Sequence, residues 1–134
     1  TNVLNQDSWI FKQIAVLAHL RKKEAILKFG RMYFRETSKN GLDFQYPDCE
    51  ECLLAFSRIL HEGEILIVYN SSPKDTKEEY IAIDTTINKE GMLMECIYGN
   101  KKKTRIEKNR DQEADRFFIK VKLKPMEFLI FKNK

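Results

Sequence analysis

The residues best suited to chemistry by type and spacing are Cys49 and Cys52, with Glu50 and Glu51 between them. Two thiols at this interval are half of a zinc site or a redox couple. Zinc needs about four ligands, yet the other donors, Cys96, His19 and His61, are scattered with no second close pair. A redox couple needs its first thiolate favoured at a helix start, whereas Cys52 leads into the strand-like run Leu53 to Leu60. Two ordinary thiols at a strand entrance are the expectation, and no specific role is read for Cys49, Cys52 or Cys96. Three cysteines are too few for a disulfide framework. They fit a reducing compartment or an exported protein with a free thiol, the cytoplasm being slightly favoured.

Acid–base and nucleophilic chemistry need a nucleophile, a base and an orienting partner that converge. The paired carboxylates Glu50-Glu51 and Glu78-Glu79 are sequence neighbours, which point to opposite sides of an extended chain, so both read as solvated charge. His19 falls on a helix and His61 in a turn. There is no Gly-x-Ser-x-Gly elbow, no His-Glu-x-x-His and no phosphate-binding glycine loop. No catalytic, metal-binding or cofactor-binding residue is therefore expected, and no cofactor. The net charge of +4 is concentrated in the stretch Lys101 to Arg110, leaving the remainder near neutral. Single-stranded nucleic acid is bound by such charge together with aromatic platforms, and residues 99–116 contain no aromatic. A solvated loop is expected there, with no nucleic-acid partner. A glycan site on a strand-rich surface would want flat aromatic faces. The only Trp, Trp9, lies in a helix, and most of Tyr33, Tyr46, Tyr69, Tyr80 and Tyr98 alternate into expected strand cores.

The elements that would carry these residues follow from periodicity. Residues 8–22 predict one helix, capped by Ser8 or Asp7, with Ile10, Ile14, Leu17 and Ala18 at helical spacing. Trp9, Phe11, Ala15, Val16 and Leu20 spread around the other side, so more than one face should be covered. A short helical turn, Glu24 to Phe29, is expected to close at Gly30 in a left-handed conformation. From Arg31 onward the pattern becomes short strands: Met32 to Glu36, Leu53 to Leu60, Ile65 to Asn70, Tyr80 to Asp84, Met92 to Tyr98, Phe117 to Leu123 and Phe128 to Phe131. Leu53 to Leu60 and Ile65 to Asn70 read as a buried pair closed over His61-Glu62-Gly63-Glu64. The polar stretch Gly99 to Asp115 reads as a protruding connection. The fold class is therefore mainly β, an antiparallel Greek-key-type sandwich of about seven or eight strands after one helix and a short helical turn. Residues 1–30 form the helical segment and 31–134 the sandwich domain. Arg58 and Asn70, at strand ends, are expected to fix turns and satisfy backbone groups. No apolar run approaches the roughly 20 residues of a membrane helix, and no membrane partner is expected. The opening Thr1 to Gln6 lacks a charged start before an apolar core, so no signal peptide is expected. A chain starting without Met is expected to be processed or excised.

Several of these segments resemble the carboxy-terminal β-sandwich of the α-amylase family, glycoside hydrolase family 13. Ile14-Ala15-Val16-Leu17-Ala18-His19-Leu20-Arg21, followed by Glu24-Ala25-Ile26-Leu27-Lys28-Phe29-Gly30-Arg31, looks like that family's junction between last barrel helix and sandwich. Ala55-Phe56-Ser57-Arg58 and Ile65-Leu66-Ile67-Val68-Tyr69-Asn70 resemble its aromatic-rich strand ending in Arg and apolar strand ending in Asn. Leu123-Lys124-Pro125-Met126-Glu127-Phe128 is similar to its closing strand pair. The resemblance implies retaining chemistry on α-glucans by carboxylates of a (β/α)₈ barrel. No barrel strand is present in this sequence, so none of those residues is carried over. It further implies a non-catalytic domain, inactive alone, whose partner is the catalytic barrel of a parent enzyme. The last barrel helix would then pack through Trp9, Phe11, Val16 and Leu20, and the isolated chain is expected to hide them by self-association or by folding the helix back. The alternative is a free-standing module that binds glycan or polyanion.

Overall fold

The computed structural model describes residues 9–109 and 115–133, with the side chains of α1 described at 15, 16 and 18–23. The expected caps, Ser8 or Asp7, lie outside these. Helix α1 (Trp9–Lys23) ends in Arg21, Lys22 and Lys23, cations favoured by the exposed carbonyls of a helix C-terminus. Helix α2 (Ala25–Phe29) follows at once and buries Leu27. It does not close in a left-handed turn. Gly30 is extended, with φ −70° and ψ 155°, and is needed for proximity: a Cβ there would lie 2.5 Å from the Ile26 carbonyl oxygen and 2.9 Å from that of Ile59. The helix is thus laid directly on the strand below it.

The strands are β1 (Arg31–Phe34), β2 (Thr37–Ser38), β3 (Leu53–Leu60), β4 (Gly63–Asn70), β5 (Lys77–Ile83), β6 (Leu93–Tyr98), β7 (Lys103–Arg105), β8 (Glu107–Asn109), β9 (Arg116–Leu123) and β10 (Phe128–Asn133). They form two antiparallel sheets, ordered β1-β3-β4-β10-β6-β7 and β2-β5-β9-β8. The expected sandwich is therefore the fold. Its centre is the β3–β4 hairpin, paired from Leu53↔Asn70 to Leu60↔Gly63. The expected break is shorter than four residues: only His61 and Glu62 turn, His61 at φ 56°, and Glu64 returns to the strand fully buried.

Between the sheets, Leu53, Leu66, Val68, Met94, Leu129 and Phe131 face Ile81, Ile119, Val121 and Leu123. A second cluster lies on the outer face of the larger sheet, where Leu20, Ile26 and Leu27 cover Ile65, Ile67 and Ile130. That explains why β4 reads as a continuous apolar run: Ile65 to Val68 are buried on both faces.

Three short strands were not foreseen. The stretch Gly99 to Asp115 is no simple protruding connection, because it contains β7 at the edge of the larger sheet and β8 at the edge of the smaller one. The chain passes from one sheet to the other at Ile106, which is 1% exposed. Its N–H donates to the Met92 carbonyl at 2.7 Å, and its carbonyl accepts from Gly91 N–H at 2.9 Å. One apolar residue in a polar run was the only sequence signal. The third, β2, is two residues long and pairs with β5 through Thr37↔Ile81 and Ser38↔Tyr80.

Candidate functional site

Among the described residues the structure gathers no catalytic constellation from the titratable side chains. His19 lies on α1 and His61 in the β3–β4 turn, both exposed. Among the described residues no group of three His, Cys, Asp or Glu side chains is placed to hold a metal. Cys49 is exposed while Cys52 and Cys96 are buried, and all three are free. The Cys52 thiol donates to the Cys49 carbonyl at 3.1 Å. Burial first, then its hydrogen bond and charge interaction with Cys49, push the Cys52 thiol up to about 11, so at neutral pH it is a poor nucleophile. Glu50 and Glu51 are exposed as expected. Glu79 departs from the expectation of solvated charge: β5 begins at Lys77, and the Glu79 side chain turns inward. Burial raises it above its ordinary value, against the opposing charges of Lys39 and Lys77.

One buried polar network does form, around Glu64. Its Oε2 accepts from Ser57 Oγ at 2.5 Å and from Arg35 Nη2 at 3.1 Å. Its Oε1 accepts from Asn88 Nδ2 at 2.7 Å and from Asp84 N–H at 3.3 Å. Asn133 Oδ1 accepts the Glu64 N–H, and its Nδ2 donates to Asn88 Oδ1 and the Glu62 carbonyl. Both carboxylate oxygens are satisfied and the carboxylate is closed to solvent, so the network ties the sheets together instead of meeting a substrate. Asn70 serves the same end at the other side of the sandwich, where Nδ2 donates to the carbonyls of Asp75 at 2.8 Å, Lys124 at 3.1 Å and Leu123 at 3.2 Å.

The feature without an internal purpose is a groove of roughly 870 Å³ at the β1 end of the larger sheet. Directly opposed residues share a face, so Met32↔Arg58 and Phe34↔Phe56 place Met32, Phe34, Phe56 and Arg58 on the outer face. Alternation adds Leu54. Met32 is 52% exposed, Phe34 66% and Leu54 43%. Tyr33, Tyr46, Pro47, Tyr69 and Phe128 complete the walls. The tyrosines are not in the core: Tyr33 and Tyr46 are exposed, and Tyr69, Tyr80 and Tyr98 half-buried. The groove's polar groups are largely committed. Tyr69 Oη lies 3.3 Å from Met126 Sδ, and Arg35 is held by Ser57 and Glu64. Arg58 departs from its expected role of satisfying backbone groups, since its Nε is closed to solvent and has no hydrogen-bond partner among the described residues.

No family model and no curated protein matches the sequence. Solved structures do. A noncanonic maltogenic α-amylase, AmyB from Thermotoga neapolitana, matches with a TM-score of 0.58 at 19% identity, covering 98% of this chain and 27% of that one. CldA, a cyclomaltodextrin glucanotransferase with a three-domain ABC distribution, matches with a TM-score of 0.56 at 12% identity, covering 99% of this chain and 24% of that one. The likeness is one of fold. This chain spans about a quarter of the length of each.

Of the residues expected to form a helix interface, Leu20 packs on the outer-face cluster and Val16 is half-buried. The side chains of Trp9 and Phe11 lie outside the described residues. The basic residues Lys103 and Arg105 sit in β7 and not in a loop.

Proposed function

We propose that this chain is a non-catalytic β-sandwich domain of an α-glucan-active glycoside hydrolase or transglycosylase of the α-amylase family, and that it stabilises the enzyme's catalytic barrel. The observation that carries this reading is the match in fold over nearly the whole chain to about a quarter of two such enzymes. Two features support it. No catalytic group is assembled among the described residues, and an apolar groove is left open on the sheet face that the helices only partly cover. The parent substrate and the choice between hydrolysis and transfer belong to the barrel.

The test has two arms. The isolated chain shows no turnover of maltooligosaccharide or amylose, measured by release of reducing ends, and the reading frame upstream of Thr1 encodes barrel strands. Turnover by this chain alone, or a reading frame with no barrel, overturns the reading.

The second reading, a glycan-binding module, is favoured by the exposed rings of Tyr33 and Tyr46 beside the groove. Against it stands the shortage of uncommitted polar groups to hydrogen-bond sugar hydroxyls. A ligand that binds only the folded state raises the melting temperature by mass action, so a rise with millimolar maltoheptaose favours this reading and an unchanged value the first.

A further inference from the structure

We propose that Cys49 and Cys52 form a reversible disulfide with each other, and that this bond clamps the bend through which the chain enters β3. Both thiols belong to this chain, so the clamp does not depend on a parent enzyme.

Three residues of extended chain separate Cα atoms by about 10 Å, too far for a disulfide, whose Cα atoms lie within about 7 Å of each other. The spacing of the cysteines therefore decides nothing unless the chain between them bends. It does bend, over residues 49–52, immediately before β3 begins at Leu53. Ser71, just past the end of β4, holds it there. Ser71 Oγ accepts from the Cys52 N–H at 2.9 Å, and its hydroxyl is shared between the carbonyls of Glu50 and Cys52, each at 3.0 Å. The Ser71 N–H donates to the Cys52 carbonyl at 3.0 Å, and Ser72 Oγ donates to Glu51 Oε1 at 3.3 Å. Behind them stands Asn70, paired with Leu53 and tied to three carbonyls. Cys52 Sγ is thereby set 3.1 Å from the Cys49 carbonyl, with the two cysteine side chains in hydrogen-bonding contact. A bend already fixed in the reduced protein leaves little conformational freedom to lose when the bond closes.

The two thiols differ in access as an attacking and a resolving thiol must. Cys49 is exposed and Cys52 buried, and both line a polar pocket of roughly 470 Å³. The oxidant is a low-molecular-weight disulfide. The Cys49 thiolate attacks one of its sulfurs, forming a mixed disulfide and expelling one small thiolate, which takes up a proton. The Cys52 sulfur then gives its proton to solvent and attacks the Cys49 sulfur, which breaks the mixed disulfide and expels the second small thiolate to be protonated in turn. Two protein thiols have lost two electrons and two protons, and one small disulfide has become two thiols. Burial and the neighbouring Cys49 hold the Cys52 thiol protonated, so the second step is the slow one. Capture of Cys49 removes its charge and with it part of that opposition. A helix start serves a thiolate that must attack in every turnover, and a bond that closes and stays does without it. Cys96 is the internal control. It is packed in the core between the sheets, and its thiol donates to the Tyr98 carbonyl at 3.1 Å.

In the experiment the 134-residue chain is equilibrated with reduced and oxidised glutathione at neutral pH, both folded in buffer and unfolded in concentrated urea, then alkylated and mapped by mass spectrometry. The folded chain is expected to give one internal disulfide, Cys49 to Cys52, with Cys96 a free thiol. Its equilibrium constant is expected to exceed that in urea at least about tenfold, about 30 mV in potential. A fold that favours the bond is favoured by the bond in the same ratio, so the urea midpoint rises on oxidation in wild type and stays unchanged in Cys49→Ser. Ser71→Ala, which frees the bend, loses most of the tenfold advantage, and Ser71→Thr, which keeps the hydroxyl, retains it. A serine that only stabilised the fold would shift the urea midpoint and leave the potential of the folded chain unmoved. Glutathione retained on Cys49 with Cys52 still free, or a dimer linked through Cys49, overturns the clamp. So does an equilibrium constant no greater in the folded chain than in urea.

Discussion

Glu64 shows how much a single side chain can hold. Its carboxylate is reached from four directions by Arg35, Ser57, Asn88 and the Asp84 backbone. Glu64→Ala leaves Arg35, itself 15% exposed at the side chain, as a nearly buried charge without its main partner. Removing one member of a buried pair costs about 3–5 kcal/mol, and urea unfolding at neutral pH is expected to show a loss of that order. Nothing in the sequence marked Glu64, which sat in a run of turn-like residues and was read as part of the turn. Asp84 and Glu79 act in opposite senses with pH. Burial disfavours ionised Asp84, but hydrogen bonds from Thr86 and Ile87 and the charge of Arg35 outweigh it and hold the group below its ordinary 3.8. Its folded value is depressed, so its contribution is complete above pH 3.8 and is lost as pH falls through the folded value. Asp84→Asn is therefore expected to lower the urea midpoint at neutral pH and to converge with wild type in acid. Glu79 is raised above 4.5, so its ionisation costs stability as pH rises through the folded value. Glu79→Gln is expected to raise the midpoint at neutral pH and to match wild type below pH 4.5.

Among the elements, the hairpin of β3 and β4 and the alternating strand β9 were legible because their side-chain period is set locally. In β9, Ile119, Val121 and Leu123 are buried and Lys120 and Lys122 exposed, as the alternation required. Phe118 is buried as well, because Phe44 from a loop and Tyr80 from β5 stack on it at 5.4 Å between ring centroids. No local pattern announces such a lid. The strands β7 and β8 were missed for the same reason, since three-residue edge strands owe their existence to the partners that pair with them. Ile106 joins them, and Ile106→Ala is expected to cost about 2–5 kcal/mol in urea unfolding, far more than an exposed loop residue would. Gly30 was read correctly as a boundary and wrongly as a left-handed one. A Cβ there meets backbone oxygens of α2 and β3, which cannot rotate away. Gly30→Ala is expected to destabilise by about 1–3 kcal/mol, and the separation of α2 from the sheet shows as faster amide exchange at Gly30, whose N–H donates to Ile26 at 2.9 Å.

At the scale of the molecule, the larger sheet of the sandwich is apolar on both faces, the outer one beyond what its own helices cover. Helix α2 and the end of α1 settle part of the excess. The remainder is the groove, where Met32, Phe34 and Leu54 are already partly covered, so burying the rest would return about 1–2 kcal/mol for each side chain. The wild-type chain alone is expected to brighten an apolar fluorophore such as 8-anilino-1-naphthalenesulfonate, and Phe34→Lys/Leu54→Lys to abolish most of that signal without changing the circular dichroism. The sequence by itself determined the sandwich, the helix before it and the central hairpin, because periodicity and turn residues are properties of neighbours along the chain. The tertiary structure alone decided that Glu64 and Glu79 are inside, that Tyr33, Tyr46 and Phe34 are outside, and that Arg58 Nε finds no hydrogen-bond partner among the described residues. Those outcomes depend on which strands end a sheet and which faces a helix happens to cover, and such pairings are made between residues far apart in the chain.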